Sequence, residues 1–350
     1  MELKDIKLKP LLDTLRLEKI SDQIYFSEKY SGYVSNSRLG LINPRQGGSP
    51  DQFFEGFKDS GFSPAFQLGS AVHELVLQKE QFKLSEDIGR PTAKLGAMAD
   101  ELYSKFLEHP VTKEDIIEAS NKVDYYKGKI NSELVSKILE SCRTYWENRQ
   151  KAEFNLSESR EIIYLDKKSI DTVKSCVQAI EENPKIQDLL HPKGIINDPI
   201  SENEQAILLD INVKCPNGKE FILRLKSKLD NYTIDTETNT IIINDLKTIG
   251  KIVSEFPKNQ ANFHYNREIG MYMYLLRLCA QKFYNIEQPK CQANFLVVST
   301  VPNYYTKVVP MTSNEIIKGF KEFKVLLKYV AYNIAYRDYS LDERPSKYQL

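Results

Sequence analysis

"TIIINDLKTIG", residues 240–250, is an apolar run that ends in charge: three isoleucines lead into Asp245 and Lys247. Side chains alternate faces along a strand, so Asp245 and Lys247 share one face and Leu246 points to the other. The preceding run, "KEFILRLKSKLDNYTID" (219–235), reads the same way. Phe221, Leu223, Leu225 and Leu229 form one face; Arg224, Lys226, Lys228 and Asp230 form the other. Between the two runs, "TETN" (236–239) reads as a hairpin turn. Folding the chain there brings Asp230 roughly opposite Asp245, within a residue or two of register. Two carboxylates and one lysine then meet at one end of a hairpin. Acids that close repel unless positive charge lies between them. A hard divalent cation such as Mg²⁺, which takes carboxylate, carbonyl and water oxygens, suits that position.

The D-x-K spacing alone decides nothing. It recurs at Asp5–Lys7 and Asp166–Lys168, and as E-x-K at Glu322–Lys324, where a solvated helix face or loop is the ordinary reading. The apolar strand and the upstream acid across a hairpin set Asp245 and Lys247 apart.

The rest of the chain is compatible with one such centre. Its 350 residues allow one large or two modest domains. Lys plus Arg and Asp plus Glu both number 48, so the net charge is zero, which argues against a binder that grips nucleic acid through bulk positive charge. The five cysteines form no C-x-x-C pair, which argues against a disulfide framework, a zinc knuckle or an iron–sulfur cluster. The start, "MELKDIKLKPLLDTL", has no apolar secretory core, and no apolar run reaches membrane-spanning length. A cytoplasmic, reducing location is the expectation.

Residues 1–66 read as helical patches and a turn-rich stretch, "NPRQGGSPDQF" (43–53). Residues 67–82 have the helical spacing Leu68, Ala71, Val72, Leu75, Val76. The stretch 93–190 is mostly helical and polar-faced, with Thr112 and Asn131 as caps and Pro184 as a stop. β-Like runs follow at 205–214, 219–235 and 240–248, then a helix over about 258–283, strands at 293–301 and 304–311, and a closing helix at 313–334 capped by Ser313. The order implies an α/β (α+β) chain with one mixed sheet flanked by helices. "RQGG" (45–48) lacks the context of a P-loop and reads as a turn or a DNA-contacting loop. The Tyr125–Tyr126 and Tyr304–Tyr305 pairs are candidates for stacking on bases, though such residues more often fill cores.

The strand-ending Asp230, the hairpin and "DLKT" resemble the core of the PD-(D/E)XK nuclease superfamily. "LGSAVHELVL" (68–77) resembles the G-x-x-x-H helix motif of exonuclease VIII-like phage exodeoxyribonucleases, with His73 as its histidine. "YNREIGMYMYL" (265–275) resembles the helix that carries Q-x-x-x-Y, with Glu268 in place of glutamine and Tyr272 as the tyrosine. "YVSNSRL" (33–39) resembles the family's S-x-S-x-L segment, and Glu204 aligns loosely with an acid that opens the first core strand. The resemblance spans roughly residues 30–335.

It implies a restriction-endonuclease-like core over 67–335 with a helical insertion at about 93–195, a helical and loop segment at 1–66, and a tail at 336–350. Asp230, Asp245, His73 and the Leu246 carbonyl are then the metal ligands. Lys247 is catalytic, and Glu268, Tyr272 and Glu204 are accessory candidates. The implied activity is Mg²⁺-dependent hydrolysis of DNA from its ends, 5′→3′ on double strands, with Mn²⁺ able to substitute. The implied partners are DNA, a single-strand annealing or single-strand-binding protein, and further copies of the chain, in the host cytoplasm if the chain is phage-encoded. An endonuclease on the same core, a nuclease-fold DNA-binding protein with a decayed site, and a helical interaction protein with an incidental "DLKT" are the alternatives. Glu268 in the glutamine position is the feature that keeps the decayed reading open.

Overall fold

The computed structural model describes residues 3–55, 63–85, 88–126, 129–154, 160–337 and 339–341. Positions 342–350 of the expected tail lie outside the described residues. The strands are β1 (Lys7–Glu18), β2 (Phe82–Leu84), β3 (Glu161–Ile163), β4 (Ile200–Lys214), β5 (Glu220–Asp235), β6 (Thr240–Ile249), β7 (Lys290–Ser299) and β8 (Thr306–Pro310). The helices are α1 (Asp22–Tyr25), α2 (Asn36–Ile42), α3 (Pro50–Glu55), α4 (Pro64–Leu77), α5 (Ala93–Glu108), α6 (Lys113–Lys122), α7 (Ser132–Phe154), α8 (Lys167–Glu181), α9 (Pro184–Leu190), α10 (Phe256–Asn262), α11 (Tyr265–Tyr284) and α12 (Ser313–Tyr336).

Six strands form one sheet in the order β1-β4-β5-β6-β7-β8. Every neighbouring pair is antiparallel except β6 and β7, which run parallel. A parallel pair needs a crossover, and α10 and α11 supply it. This is the mixed, helix-flanked α/β sheet that the sequence implies.

The first strand departs from expectation. Residues 7–18, read as part of a helical and loop segment, form edge strand β1 against β4, with Lys7 opposite Lys214 and Glu18 opposite Ala206. Pro10 and the flanking lysines obscure the strand in sequence, yet proline and lysine are what an exposed sheet edge tolerates. The expected helix over 258–283 is two helices, because His264 between them is left-handed at φ +54°. Thr312, not Ser313, caps α12, in a capping box with Glu315. Pro184 opens α9 at its first turn as well as ending α8. Thr112 caps α6 with Asp115 as expected, and Asn131 accepts from the Leu134 amide although no acid reciprocates.

Two cores sandwich the sheet. On one side Leu223, Leu225, Ile241, Ile243 and Ile249 pack against α11 and α12 through Ile269, Leu275, Leu276, Phe323 and Leu327. On the other, Leu246, Leu296 and Val298 pack against Val72 of α4 and Val173 and Ile180 of α8. Helices α8 and α9, grouped by sequence with the helical insertion, therefore belong to the sheet's own core. A third core, with Met98, Leu102, Ile116, Ile138 and Trp146, sits within α5–α7. Helices α11 and α12 meet at Gly270 and Gly319. A Cβ at Gly270 would strike the Gly319 and Phe320 backbone, and one at Gly319 the Asn266 carbonyl. Among the described residues no helix is long and apolar enough to cross a membrane.

The simple two-face alternation expected for β5 slips once. Leu223, Leu225 and Leu229 share a core with Tyr232 and Ile234, three and five residues past Leu229. The opposite strand breaks at the same level: Glu204 of β4, which would face Asp230, has a left-handed φ of +52°. Such a conformation costs a non-glycine residue on the order of 1–3 kcal/mol and persists where the surroundings enforce it. Ladder pairing resumes on both sides, at Asn203–Asn231 and Gln205–Leu229.

Candidate functional site

The break in β4 and β5 is where the polar side chains gather. The β5–β6 ladder pairs Asn231 with Asn244 and ends there. Continuing its register by one residue sets Asp230 against Asp245. Asp230 instead uses its carboxylate: Oδ2 accepts from the Leu246 amide at 2.8 Å. His73 of α4 approaches from the other side, with Nδ1 3.5 Å from the same oxygen. Helix α4 lies close because residue 69 is glycine, whose added Cβ would come within 2.9 Å of Thr248 Oγ1. Among the described residues His73, Glu204 and Asp230 form a group whose ligand atoms all lie within 4.8 Å of one another.

Asp245 is not a member of that group. It is 1% exposed, and its Oδ2 lies 2.5 Å from Lys247 Nζ. Lys247 also reaches Glu268 Oε2 of α11 at 3.4 Å and lies over the Tyr265 ring at 5.0 Å. The expected three-residue donor set of His73, Asp230 and Asp245 is thus drawn differently: Glu204, read only as an accessory, joins the close group, and Asp245 pairs with the lysine. The physical reason is the left-handed Glu204, which turns its carboxylate toward Asp230. Tyr272 donates to Glu268 Oε1 at 3.2 Å, one turn along α11.

Burial dominates the electrostatics. It pushes the Asp245 carboxyl up to about 7, with Lys247 opposing and Glu268 adding to the rise. Burial, and then the Asp245 charge, hold Asp230 well above the usual carboxylate range. Burial and next the Lys247 charge lower His73 to about 3, while a hydrogen bond to the Leu246 backbone acts the other way. The imidazole is therefore neutral and keeps a lone pair to offer. Burial lowers Lys247, but Asp245, Glu268 and Asp230 outweigh it and leave the amine well above its ordinary value, an ammonium. Among the described residues, Asp245 Oδ2 and Glu268 Oε2 are buried without a well-aligned hydrogen bond, although Lys247 lies within ion-pair distance of both.

Carboxylates held charged-adverse, a neutral imidazole and buried oxygens without aligned donors together fit a hard divalent cation. The residues that would hold it are His73, Glu204 and Asp230, with Asp245 beside them.

Sequence reasoning missed three contributors. Lys228, two residues before Asp230, lies 2.8 Å from Glu204 Oε2 and 2.6 Å from Asp22 Oδ1. Its signal was there, since it shares a strand with Asp230 in a polar run. Tyr265 carried a helical-spacing signal only, three residues before Glu268. Arg267, 2% exposed, pins the start of α11 to the N-terminal region through Asn36 Oδ1 at 2.8 Å and Gln46 Oε1 at 2.7 Å. The latter contact puts "RQGG" to structural use: Pro44–Gln46 is a single 3₁₀ turn ended by left-handed Gly47. In "YVSNSRL", Ser35 caps α2 and Val34 bridges to Leu225 of β5. The Tyr125–Tyr126 rings meet edge to face.

No protein-family model matches the chain, and no curated protein matches it. Among solved structures it is similar to the crystal structure of a "Putative exonuclease" from Eubacterium rectale, at 12% identity over 90% of this chain and 86% of that one, with a TM-score of 0.38. A likeness that distant carries no argument about activity.

Proposed function

We propose that this chain is a divalent-metal-dependent nuclease that hydrolyses phosphodiester bonds of DNA from its ends. One observation carries the reading: a neutral imidazole and two carboxylates offer ligand atoms within 4.8 Å of one another beside a lysine held as an ammonium. A bound Mg²⁺ or Mn²⁺ supplies a water of lowered pKa and charge stabilisation at the phosphorus. The chain's own residues do the rest. His73, Glu204 and Asp230 orient the donor set, and the Leu246 amide fixes Asp230. Lys247, bearing a full positive charge, stabilises the negative charge that grows on the phosphoryl oxygens. As an ammonium it is not the base. Glu268 steadies that ammonium from the far side and is itself held by Tyr272, a use for a carboxylate where the resembled family has glutamine.

The restriction-endonuclease-like family, the preference for ends, 5′→3′ polarity on double-stranded DNA, a phage-type recombination setting in the cytoplasm, an annealing or single-strand-binding partner and self-assembly all rest on the motif resemblance and are part of the proposal. The test is degradation of linear and covalently closed DNA in Mg²⁺, Ca²⁺ and EDTA, with Asp245→Ala and Lys247→Ala alongside. Mg²⁺-dependent loss of linear DNA alone, abolished in both variants, is the expected result. Rapid cutting of closed circles makes it an endonuclease; an inert wild type, or variants that match it, overturns the assignment.

A further inference from the structure

A column of rings leads out of the site from Lys247. Its ammonium lies over the Tyr265 ring at 5.0 Å. Tyr265 in turn stacks on Phe263, with ring centroids 5.7 Å apart and planes 29° from parallel. On the inner side Tyr265 meets Phe256 and Phe295, which are both buried in the sheet's core. Phe263 is the outer end. It is 56% exposed, so with one face against Tyr265 the other is open to solvent.

The column depends on a break in the backbone. Residues two apart do not face each other on a continuous helix. The rings at 263 and 265 meet because the left-handed His264 separates α10 from α11. That conformation is uncommon for a non-glycine residue and persists where its surroundings enforce it. His264 Nδ1 lies 2.8 Å from Glu322 Oε1 of α12, an oxygen that also accepts from Asn43 Nδ2 at 3.1 Å. Contacts from α12 and from the N-terminal region therefore hold a strained turn whose product is an exposed phenyl ring fixed in line with Lys247.

A fixed cation and an open ring at the two ends of one column match a ligand that carries an anion and a flat π-face on one unit. A nucleotide is such a unit, with its phosphate for Lys247 and its base for Phe263. An apolar protein surface would use the ring and leave the ammonium without a counter-charge. Bases inside a duplex have both faces covered by their neighbours, so a strand end is where a free face is offered. We propose that Phe263 is the stacking platform for the base of a terminal nucleotide, so that the chain recognises a DNA end by ring as well as by phosphate. The inference rests on the nuclease reading of the site, and it makes Phe263 a binding residue separate from the metal donors.

The test is a cycle between ring and base on the full chain. The probe is a fluorescein-labelled linear duplex oligonucleotide, intact or with an abasic site at successive nucleotides from each strand end, its affinity read by anisotropy in Ca²⁺. Losing one base–aromatic stack costs about 5- to 100-fold in affinity. Phe263→Ala and Phe263→Leu should each lose that much on intact DNA, while Phe263→Trp binds at least as tightly as wild type. In wild type one abasic position should cost the same factor, and in Phe263→Ala that position should cost nothing further. Equal sensitivity of wild type and Phe263→Ala at every abasic position, or wild-type affinity in Phe263→Leu, overturns the platform and leaves the nuclease reading standing. So does a loss of self-association on sedimentation with DNA affinity unchanged, which would make the ring a contact between copies of the chain. A wild type that binds no DNA overturns both.

Discussion

The β5–β6 hairpin carries two buried polar levels side by side, and they are built on opposite terms. At the first, Asn231 and Asn244 are 0% and 1% exposed and satisfied across four strands. Asn244 Nδ2 donates to Asn231 Oδ1 at 2.8 Å and to the Leu189 carbonyl, Asn294 donates to Asn244 Oδ1, and Asn231 donates to Asn203 Oδ1 and Ser201 Oγ. One residue further along, Asp245 is as enclosed and Asp230 is half-buried, but burial opposes the charge of both and Asp245 Oδ2 has no aligned donor. Uncharged amides in a closed network hold a register at little cost. Carboxylates left adverse to their surroundings weaken the fold unless a ligand is bound. The asparagine level fixes which residues face each other, and the aspartate level is what that precision positions.

Substitutions at the two levels should therefore separate activity from stability. The largest effect is expected for Asp230→Asn. Its amide oxygen can still accept from Leu246, so the fold is kept, but a donor atom becomes neutral. Cleavage should fall by about a thousandfold, the scale of losing a principal transition-state contact, while the midpoint of unfolding in EDTA rises. A lower midpoint would mean that Asp230 is a structural carboxylate. Next in size is the reverse case, Asn244→Ala. It leaves Asn231 Oδ1, the Leu189 carbonyl and Asn294 Nδ2 without their partner, and orphaned buried groups cost about 1–3 kcal/mol each. Allowing for partial relaxation, chemical denaturation should show a loss of about 3 kcal/mol, with Mn²⁺ affinity changed far less than in Asp230→Asn.

The same contrast explains what the sequence disclosed. The aspartate level was readable because its neighbours are regular: Ile241 and Ile243 set the alternation and the four-residue turn sets the register. Continuing the Asn231–Asn244 pairing by one residue reaches the Asp230–Asp245 juxtaposition that the turn implies. Glu204 was underweighted because its placement depends on one left-handed residue inside a strand, and no local pattern announces that at a glutamate. Strand β1 was hidden by Pro10 and its lysines, whose meaning depends on being at an edge. Lys228 looked like the solvated half of an amphipathic strand until α1, more than 200 residues away in sequence, put Asp22 beside it. Strand alternation, helix periodicity and most caps are local and were legible; contacts set by distant segments, including the Arg267 tie to Gln46, were not.

The smallest expected effect sharpens the comparison most, because it reads the aspartate level alone. Burial raises the Asp245 carboxyl to about 7, against 3.8 for the free side chain. Between those values the folded metal-free chain holds a proton that the unfolded chain has lost. The group's contribution to stability is thus full below about 3.8 and is lost as pH rises through about 7. His73 slopes the other way: lowered to about 3, it favours the fold above the unfolded value of 6.5 and loses that contribution as pH falls toward 3. The raw stability profile mixes the two. Subtracting it from that of Asp245→Asn, in which His73 is retained, isolates the carboxyl. The variant's advantage in EDTA should grow by about 1 kcal/mol between pH 6 and pH 8, the value of roughly one pKa unit. Saturating Mg²⁺ should erase or reverse that growth, because the ionised carboxylate then has a cation beside it. The difference between Asn244→Ala and wild type should show no comparable growth with pH, since both chains keep Asp245 and His73 and neither asparagine titrates; a matching slope in that difference would place the proton elsewhere than on Asp245.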